Sequence, residues 1–342
     1  MKKLFLIIFL IQFNFIQSDY STHPRAEYVV NELVNSYDFD EEQIISVLKN
    51  AKKQQSIIKR ISTPAEFTIT WDKYRKLFIE EKRIKNGKSF IKDNLATLER
   101  AEREFGVPKE IITAILGVET RYGSIQGKDR VLDSLTTLGF DYPRRAEFFR
   151  DELIKFFILT RENNLDIFSV KGSYAGAMGY GQFISSSYLA YAIDYDGDNY
   201  VDLFDSKKDA IGSIANYLSI HGWNAEADIV LEIDHNNVRK PISLSGKFIP
   251  VKLEQGEDTF YNTQSGDTLS QIALDNDVSL SELMELNDIK NKDVLIAGEK
   301  IRINKKRNKY FIGTENFVAI TKYNYSHFYA MVVYNLAREL GL

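Results

Sequence analysis

A mainly α-helical protein with a small mixed α/β unit inserted in it is the fold class this sequence predicts. Three features lead there. From about Glu27 to Gly222 the apolar residues recur mostly with helical spacing. Between Tyr261 and Ile303 a strand pattern, two short helical patterns and a second strand pattern follow one another. After that unit, helical spacing returns and runs from Phe328 to Leu340. A chain of 342 residues suits two domains, or one large domain with an insertion. The expected organisation is a leader at 1–18, a helical domain made of 25–235 and 308–342, a connector at 236–258 and the small unit at 259–304.

The leader reads as a secretory signal. Lys2 and Lys3 precede the apolar run from Leu4 to Ile11, and Gln17-Ser18 form a polar exit. The run is too short to span a bilayer comfortably, which favours cleavage over anchoring. The sequence holds no Cys. Thiol catalysis, thiolate metal sites, disulfides and a lipid-modified N-terminal cysteine are therefore excluded. An exported, soluble protein without a membrane anchor is expected. Acidic and basic residues nearly balance, at 48 against 44, which gives no sign of nucleic-acid binding. The histidines, His23, His221, His235 and His327, lack the HExxH spacing of a zinc hydrolase. Tyr and Phe are abundant, at 19 and 22. Such rings can wall a carbohydrate cleft, although most serve the core.

The expected helices are Glu41–Lys53, Trp71–Lys85, Phe90–Phe105, Lys109–Glu119, Pro143–Thr160, Ser185–Ile193 and Asp209–Ile220. One of them is unusual. Pro108 suits a helix start and Glu110 complements the positive end of the helix dipole. Ile112, Ile115, Leu116 and Glu119 then fall on one side, at i, i+3, i+4 and i+7. A carboxyl among isoleucines is desolvated, which suits general-acid work. The competing reading is a helix-end glutamate half out in water beside Arg121.

Two loops interrupt the helices. In Ser173–Phe183 small residues alternate with aromatics, so the backbone can approach a ligand while Tyr and Phe wall it. Ser173 and Gln182 offer hydrogen bonds there; a tight helix-packing turn would look similar. The second loop has carboxylates at Asp194, Asp196, Asp198, Asp202 and Asp205, which are positions 1, 3, 5, 9 and 12 of an EF-hand pattern. Tyr200 holds position 7, where the ligand is a backbone carbonyl. Asn199 replaces the usual Gly at position 6 but tolerates a left-handed turn. The expected ligand is a structural Ca2+; an acidic loop in water is the alternative. Val230–Leu253, broken by Asn236-Asn237, Pro241, Gly246 and Pro250, reads as a connector.

The small unit opens with a strand, a Gly266-Asp267 turn and a helix capped by Asp267 or Thr268. Ser279 or Ser281 caps its second helix, and Ile296–Ile303 alternates as a closing strand. This β-α-α-β order, with the Gly-Asp-Thr-Leu turn, Asn287 and the Gly-x-x-Ile-x-Ile ending, resembles the LysM module. The resemblance implies binding of N-acetylglucosamine-containing glycans through Gly266, Asp267, Thr268, Asn287 and Ile289.

Further motifs, in order along the chain, resemble the lytic murein transglycosylase B family. They are Glu119 in Gly-Val-Glu-Thr-Arg-Tyr-Gly, the Ser173–Phe183 run, Asn216-Tyr217 before His221-Gly222-Trp223, and Ile320-Thr321-Lys322-Tyr323-Asn324. The resemblance spans roughly Arg25–Ala225 and Asn308–Leu342. It implies a lysozyme-like helical domain that cleaves the β-1,4 bond between N-acetylmuramic acid and N-acetylglucosamine, leaving a 1,6-anhydromuramoyl end. Carried over residue by residue, Glu119 is the single catalytic acid and base. Tyr74, Tyr122, Ser173, Gln182, Phe183, Tyr217, Tyr323, Asn324 and Tyr329 match substrate contacts, and Arg144-Arg145 match a basic pair for stem-peptide carboxylates. The resemblance also offers Asp209 in place of Asp205 as the last calcium ligand. The implied partner is peptidoglycan and the implied location is the periplasm. Asp133, Asp141 and Asp166 are candidates for a second carboxylate. A hydrolytic muramidase on the same fold, or a non-catalytic wall-binding scaffold, are the competing readings.

Overall fold

The computed structural model describes residues 19–62, 69–233, 249–255, 259–276, 278–293, 295–304 and 307–342. The expected signal peptide and residues 236–248 and 256–258 of the expected connector lie outside them. The helices begin with α1 (Ala26–Tyr37), α2 (Glu41–Asn50), α3 (Gln55–Ser62), α4 (Trp71–Phe78), α5 (Glu81–Asp93), α6 (Leu95–Phe105) and α7 (Lys109–Thr120). They continue with α8 (Val131–Asp141), α9 (Ala146–Glu162), α10 (Ser185–Tyr191) and α11 (Lys207–Ile220). The last are α12 (Leu269–Asp275), α13 (Leu280–Leu286), α14 (Glu315–Tyr323) and α15 (His327–Leu340). The strands are β1 (Asp129–Arg130), β2 (Lys171–Gly172), β3 (Val230–Ile233), β4 (Ile249–Gln255), β5 (Thr259–Asn262), β6 (Lys300–Asn304) and β7 (Arg307–Gly313). No described helix is long and apolar enough to cross a membrane.

The chain divides into two compact units. One comprises the described residues within Met1–Thr63, Gln126–Ala190 and Leu203–Asp205; the other comprises those within Pro64–Ile125, Tyr191–Asp202 and Ser206–Leu342. In the first, α8 and α9 form a helical hairpin, with α1 against α9 and α3 against α8. Val131, Leu132, Leu138, Leu153, Phe156 and Leu159 are fully buried there. In the second unit α7 is enclosed by α5, α6, α11 and α15. Its Ile111, Ile112, Ala114, Ile115 and Leu116 are all fully buried, as expected of a helix that is apolar on every side.

Two expected helices are divided. The Trp71–Lys85 pattern breaks at Ile79 and Glu80, where Glu80 is extended and its carboxylate pairs with Arg121 at 2.8 Å. The Phe90–Phe105 pattern breaks at Asn94, whose backbone leaves the helical region at φ −122° and ψ 21° while its N–H still reaches the Phe90 carbonyl at 3.0 Å. The expected connector is also partly ordered into sheet. β7 lies between β3 and β4, antiparallel to both, so Val230 and Ile249 both face Gly313 in register. Val251 and Leu253 are each 1% exposed, and that alternating burial makes 249–255 a strand.

The small unit follows the expected order: β5 pairs antiparallel with β6, with α12 and α13 between them in sequence. Leu269, Ile272, Ala273, Leu283 and Ile301 form its core. Thr268 and Ser279, of the expected pairs, are the residues that cap the helices.

Gly87 on α5 and Gly117 on α7 admit the Tyr122 side chain between these helices. A Cβ on Gly117 would sit 2.7 Å from the Tyr122 hydroxyl oxygen, closer than contact allows. Gly117→Ala is expected to destabilise the fold by about 1–3 kcal/mol through overpacking. Equilibrium denaturation with urea measures this; an unchanged midpoint would show that Tyr122 is free to move.

Candidate active site

Glu119 lies in the last turn of α7. The helix stops there because Arg121 and Tyr122 adopt left-handed φ angles of 51° and 62°, returning their N–H groups to Gly117 and Leu116. The half-buried Glu119 carboxylate accepts a 2.6 Å hydrogen bond from the Tyr329 hydroxyl on α15. Tyr329 is 1% exposed, and Ser326 caps its helix through the Tyr329 N–H at 3.2 Å. Arg121 does not partner Glu119 in water; its guanidinium is held by Glu80.

An aromatic wall continues from this pair. The Tyr323 ring is parallel to that of Tyr329 at 6.5 Å, and Tyr217 meets Tyr323 edge-on at 4.9 Å. His221, one turn along α11, stacks on Tyr217 at 4.0 Å, and Tyr191 stands edge-on to both. The Tyr217 hydroxyl donates to the Lys322 carbonyl at 2.7 Å, tying α11 to α14. Tyr74, 4% exposed, packs on Phe328 and Phe78. Asn324 ends α14, and its carbonyl accepts from Ser326 N–H at 2.7 Å in the turn to α15. Tyr191 and His221 were not among the expected site residues. His221 stands in the quoted Asn216–Trp223 motif, at i+4 from Tyr217 on one helix, whereas Tyr191 comes from α10 and carried no such signal.

Burial, followed by the negative charge of Glu119, raises the Tyr323 and Tyr329 phenols well above the usual tyrosine range. Burial raises Tyr217 to about 12. These phenols therefore remain hydrogen-bond donors at neutral pH. A folded-state pKa raised above the unfolded value of about 10 favours the neutral form. The stabilisation is complete below that value and is lost as pH rises through the folded-state pKa. The melting temperature is expected to fall from about pH 10 upward, and less steeply in Tyr217→Phe. A flat alkaline profile would contradict the buried setting of these rings.

Tyr122 takes a different part from the one expected. Its hydroxyl donates to the Arg83 carbonyl at 2.9 Å and its ring stacks on Phe90, so it packs α5 against α7. The other unit carries Ser173, Gln182, Phe183, Arg144 and Arg145. The Ser173 hydroxyl accepts from the Ala175 and Ala177 N–H groups and so shapes its loop. Gly179 has φ of 69°, and a Cβ there would meet the Leu203 carbonyl at 2.3 Å, so only glycine fits. Gln182 donates its amide to the Gln126 and Gly179 carbonyls, both at 3.0 Å, which leaves its own carbonyl oxygen to accept. Phe183 is 2% exposed and is a core residue of the loop rather than an open wall. Arg144 and Arg145 are exposed in a short 3-10 turn, Pro143–Arg145, with Arg145 lying over Phe148.

The three candidate second carboxylates belong to this unit and hold it together. Asp133 accepts from Lys52 N–H and pairs with Arg130. Asp141 binds Lys53 at 2.7 Å and the Tyr20 hydroxyl at 2.6 Å. Asp166 accepts from the Phe168 N–H.

In the acidic loop, oxygens of Asp194, Asp196 and Asp209 lie within 4.8 Å of one another. Asp209, buried in the first turn of α11, accepts N–H groups of Tyr195, Asp196 and Asp202. Burial raises its pKa. Asp205 is not part of this group, and the Asp198 carboxylate is turned to the Tyr200 N–H at 2.8 Å. Asn199 has the expected left-handed backbone, with φ of 70°.

In the small unit, Asn287 donates to the Leu283 and Arg302 carbonyls and accepts from Arg302 N–H, so its amide joins α13 to β6. Ile289 packs on the core. Both serve the fold rather than an open binding face. Gly266 and Thr268 are exposed, and Asp267 accepts the Gln264 N–H at 2.7 Å.

A helical unit in which a carboxylate is held by a buried phenol and bordered by tyrosine rings has the build of the lysozyme-like class of enzymes. Residues 21–338 match the family described as the transglycosylase SLT domain, and the chain belongs to that family. It is 35% identical over 333 residues to the membrane-bound lytic murein transglycosylase B of Escherichia coli K12, covering 95% of this chain and 84% of that protein. The E. coli lytic transglycosylase SLT35, solved with bulgecin A and with calcium, superimposes with a TM-score of 0.71 at 33% identity, covering 96% and 97% of the two chains. The soluble lytic transglycosylase SltB1 of Pseudomonas aeruginosa gives 0.70 at 36% identity, covering 93% and 98%.

Proposed function

We propose that this protein cleaves the β-1,4 bond between N-acetylmuramic acid and N-acetylglucosamine in peptidoglycan and leaves a 1,6-anhydromuramoyl end. The observation that carries the reading is the 2.6 Å hydrogen bond from Tyr329 to Glu119, which orients a single carboxyl beside an aromatic wall. Protonated Glu119 donates to the glycosidic oxygen as the C1–O bond breaks. The substrate's own N-acetyl carbonyl supports the charge that develops at C1. Ionised Glu119 then takes the proton of the muramic C6 hydroxyl as that oxygen bonds to C1, which restores the carboxylic acid. An internal nucleophile has a high effective concentration, so water is outcompeted without a second carboxylate. Most glycosidases that hydrolyse use two carboxylates at set separations. Mass spectrometry of digested sacculi tests this: products one water lighter than reducing ends are expected, and free reducing ends instead would sink it.

Within this reading Ser173, Gln182, Tyr323 and Asn324 contact the glycan, the buried Tyr74 and Tyr217 back the aromatic wall, and Arg144 and Arg145 meet stem-peptide carboxylates. The small unit serves as a LysM-like tether on the wall. An exported protein working in the periplasm fits that substrate and the expected leader. The carboxylates of Asp194, Asp196 and Asp209 supply hard oxygen ligands suited to Ca2+, and the Tyr200 carbonyl would add another by its place in the loop pattern. Calcium there would relieve the mutual repulsion of three close carboxylates and stiffen the loop, without touching the chemistry. At a hundredfold excess over its dissociation constant it should add about 2.7 kcal/mol of stability. EDTA should then lower the melting temperature in calorimetry, and Asp209→Ala should abolish the response; equal melting with and without the metal would dispose of the site.

A further inference from the structure

A cavity of about 150 Å³ opens in the second unit, lined by α4, α15, β3 and β7. Trp71, Phe311 and Met331 are its buried members. Arg75, Arg338, Lys309 and one carboxylate, Glu232, also line it. Lys309 and Glu232 pair at 3.1 Å and largely cancel each other. Neither Arg75 nor Arg338 has a carboxylate partner among the described residues; Arg338 only leans on the Tyr334 ring at 5.9 Å. The cavity is therefore left with two guanidinium groups that no described carboxylate offsets, that of Arg75 half-buried and that of Arg338 at its exposed rim.

A second observation points the same way. Trp71 is 1% exposed, and its indole Nε1–H has no hydrogen-bond partner among the described residues. A buried donor left unpaired is costly, and native folds rarely tolerate one without purpose. The other tryptophan, Trp223, spends its indole N–H on the Gly106 carbonyl at 2.9 Å. Water in the cavity could satisfy the Trp71 indole, but it would leave both guanidiniums without a counter-charge. An oxyanion satisfies all three groups at once, since guanidinium presents paired N–H donors to oxygen and indole adds one more. At roughly 30 Å³ per water-sized group, the volume admits about five heavy atoms.

We propose that this cavity binds a small oxyanion, a carboxylate or phosphate group, through Arg75 and Arg338 with the Trp71 indole N–H as a further donor. The site is separate from Glu119 and does not depend on glycan cleavage. The ligand is either a carboxylate borne on a peptide or a free inorganic anion.

The full chain has two tryptophans, so its 1H–15N spectrum contains two indole signals, assigned by Trp223→Phe. Inorganic phosphate and N-acetylalanine are titrated separately, with N-acetylalaninamide as the neutral control. A saturable shift of the Trp71 indole signal is expected, with the Trp223 signal still. A shift with N-acetylalanine identifies a peptide carboxylate as the ligand class; a shift with phosphate alone identifies a free inorganic anion. The Arg75→Gln, Arg338→Gln double variant should lose the shift, with the Trp223 signal reporting that it folds. Should that variant unfold, the Arg75→Lys, Arg338→Lys pair should show a weakened shift, because a point charge replaces a planar fork. The proposal falls if neither anion moves the Trp71 signal, if the amide moves it as much as the acid, or if the folded variants respond like the parent.

Discussion

Glu119→Gln should reduce the release of soluble fragments from purified sacculi by at least about 10²–10⁴-fold, the usual contribution of a positioned acid–base group. Gln keeps the shape of the side chain and can still accept from the Tyr329 hydroxyl, so the pair that lies 2.6 Å apart in the parent stays together. What it lacks is a proton to give and a lone charge to take one back. Melting temperature and wall binding are expected to hold while turnover disappears. That separation distinguishes an enzyme from a scaffold. Digestion of sacculi at the parental rate would falsify catalysis by Glu119 and return the protein to a wall-binding role.

Tyr329→Phe is the second large effect. The ring stays and keeps its parallel neighbour Tyr323 at 6.5 Å, but the hydroxyl that holds Glu119 is gone. A hydrogen bond to a charged group is worth about 1.5–3 kcal/mol, or roughly a 10- to 150-fold loss of rate. The loss should fall on kcat, with KM moving little, because Tyr329 is 1% exposed and offers a sugar almost no surface. Burial and the charge of Glu119 both keep this phenol protonated, so its donor role persists across the neutral range. A variant that loses KM and keeps kcat would show that Tyr329 binds substrate without positioning the carboxyl.

The corrections share a physical origin. Tyr122 follows Glu119 closely in sequence, yet a left-handed turn swings it into the α5–α7 joint, where two glycines make room. Neither the turn nor the room is visible in local spacing. Phe183 and Asn287 carry groups that suit sugars, but the first is buried and the second spends its amide on backbone. Chemical type shows what a side chain can do, whereas burial and partners decide whether the capacity is still free. The breaks at Glu80 and Asn94 belong to the same class. A carboxylate drawn to Arg121 and a backbone turn at Asn94 interrupt helices that periodicity alone would continue.

By itself the sequence determined what depends on near neighbours. The helical spacing around Glu119, the turn and caps of the small unit at Thr268 and Ser279, and the left-handed Asn199 in the acidic loop are all short-range consequences of residue type. The order of several motifs along the chain also carried the family. Only the tertiary structure decided which distant groups meet. Glu119 and Tyr329 stand 210 residues apart in sequence and 2.6 Å apart in space. Asp209, rather than Asp205, joins Asp194 and Asp196 because α11 brings its first turn to the loop. The Trp71 indole, Arg75 and Arg338 share a cavity that no spacing announces. Periodicity records which face of an element is buried; what that face is buried against is set by packing over the whole chain.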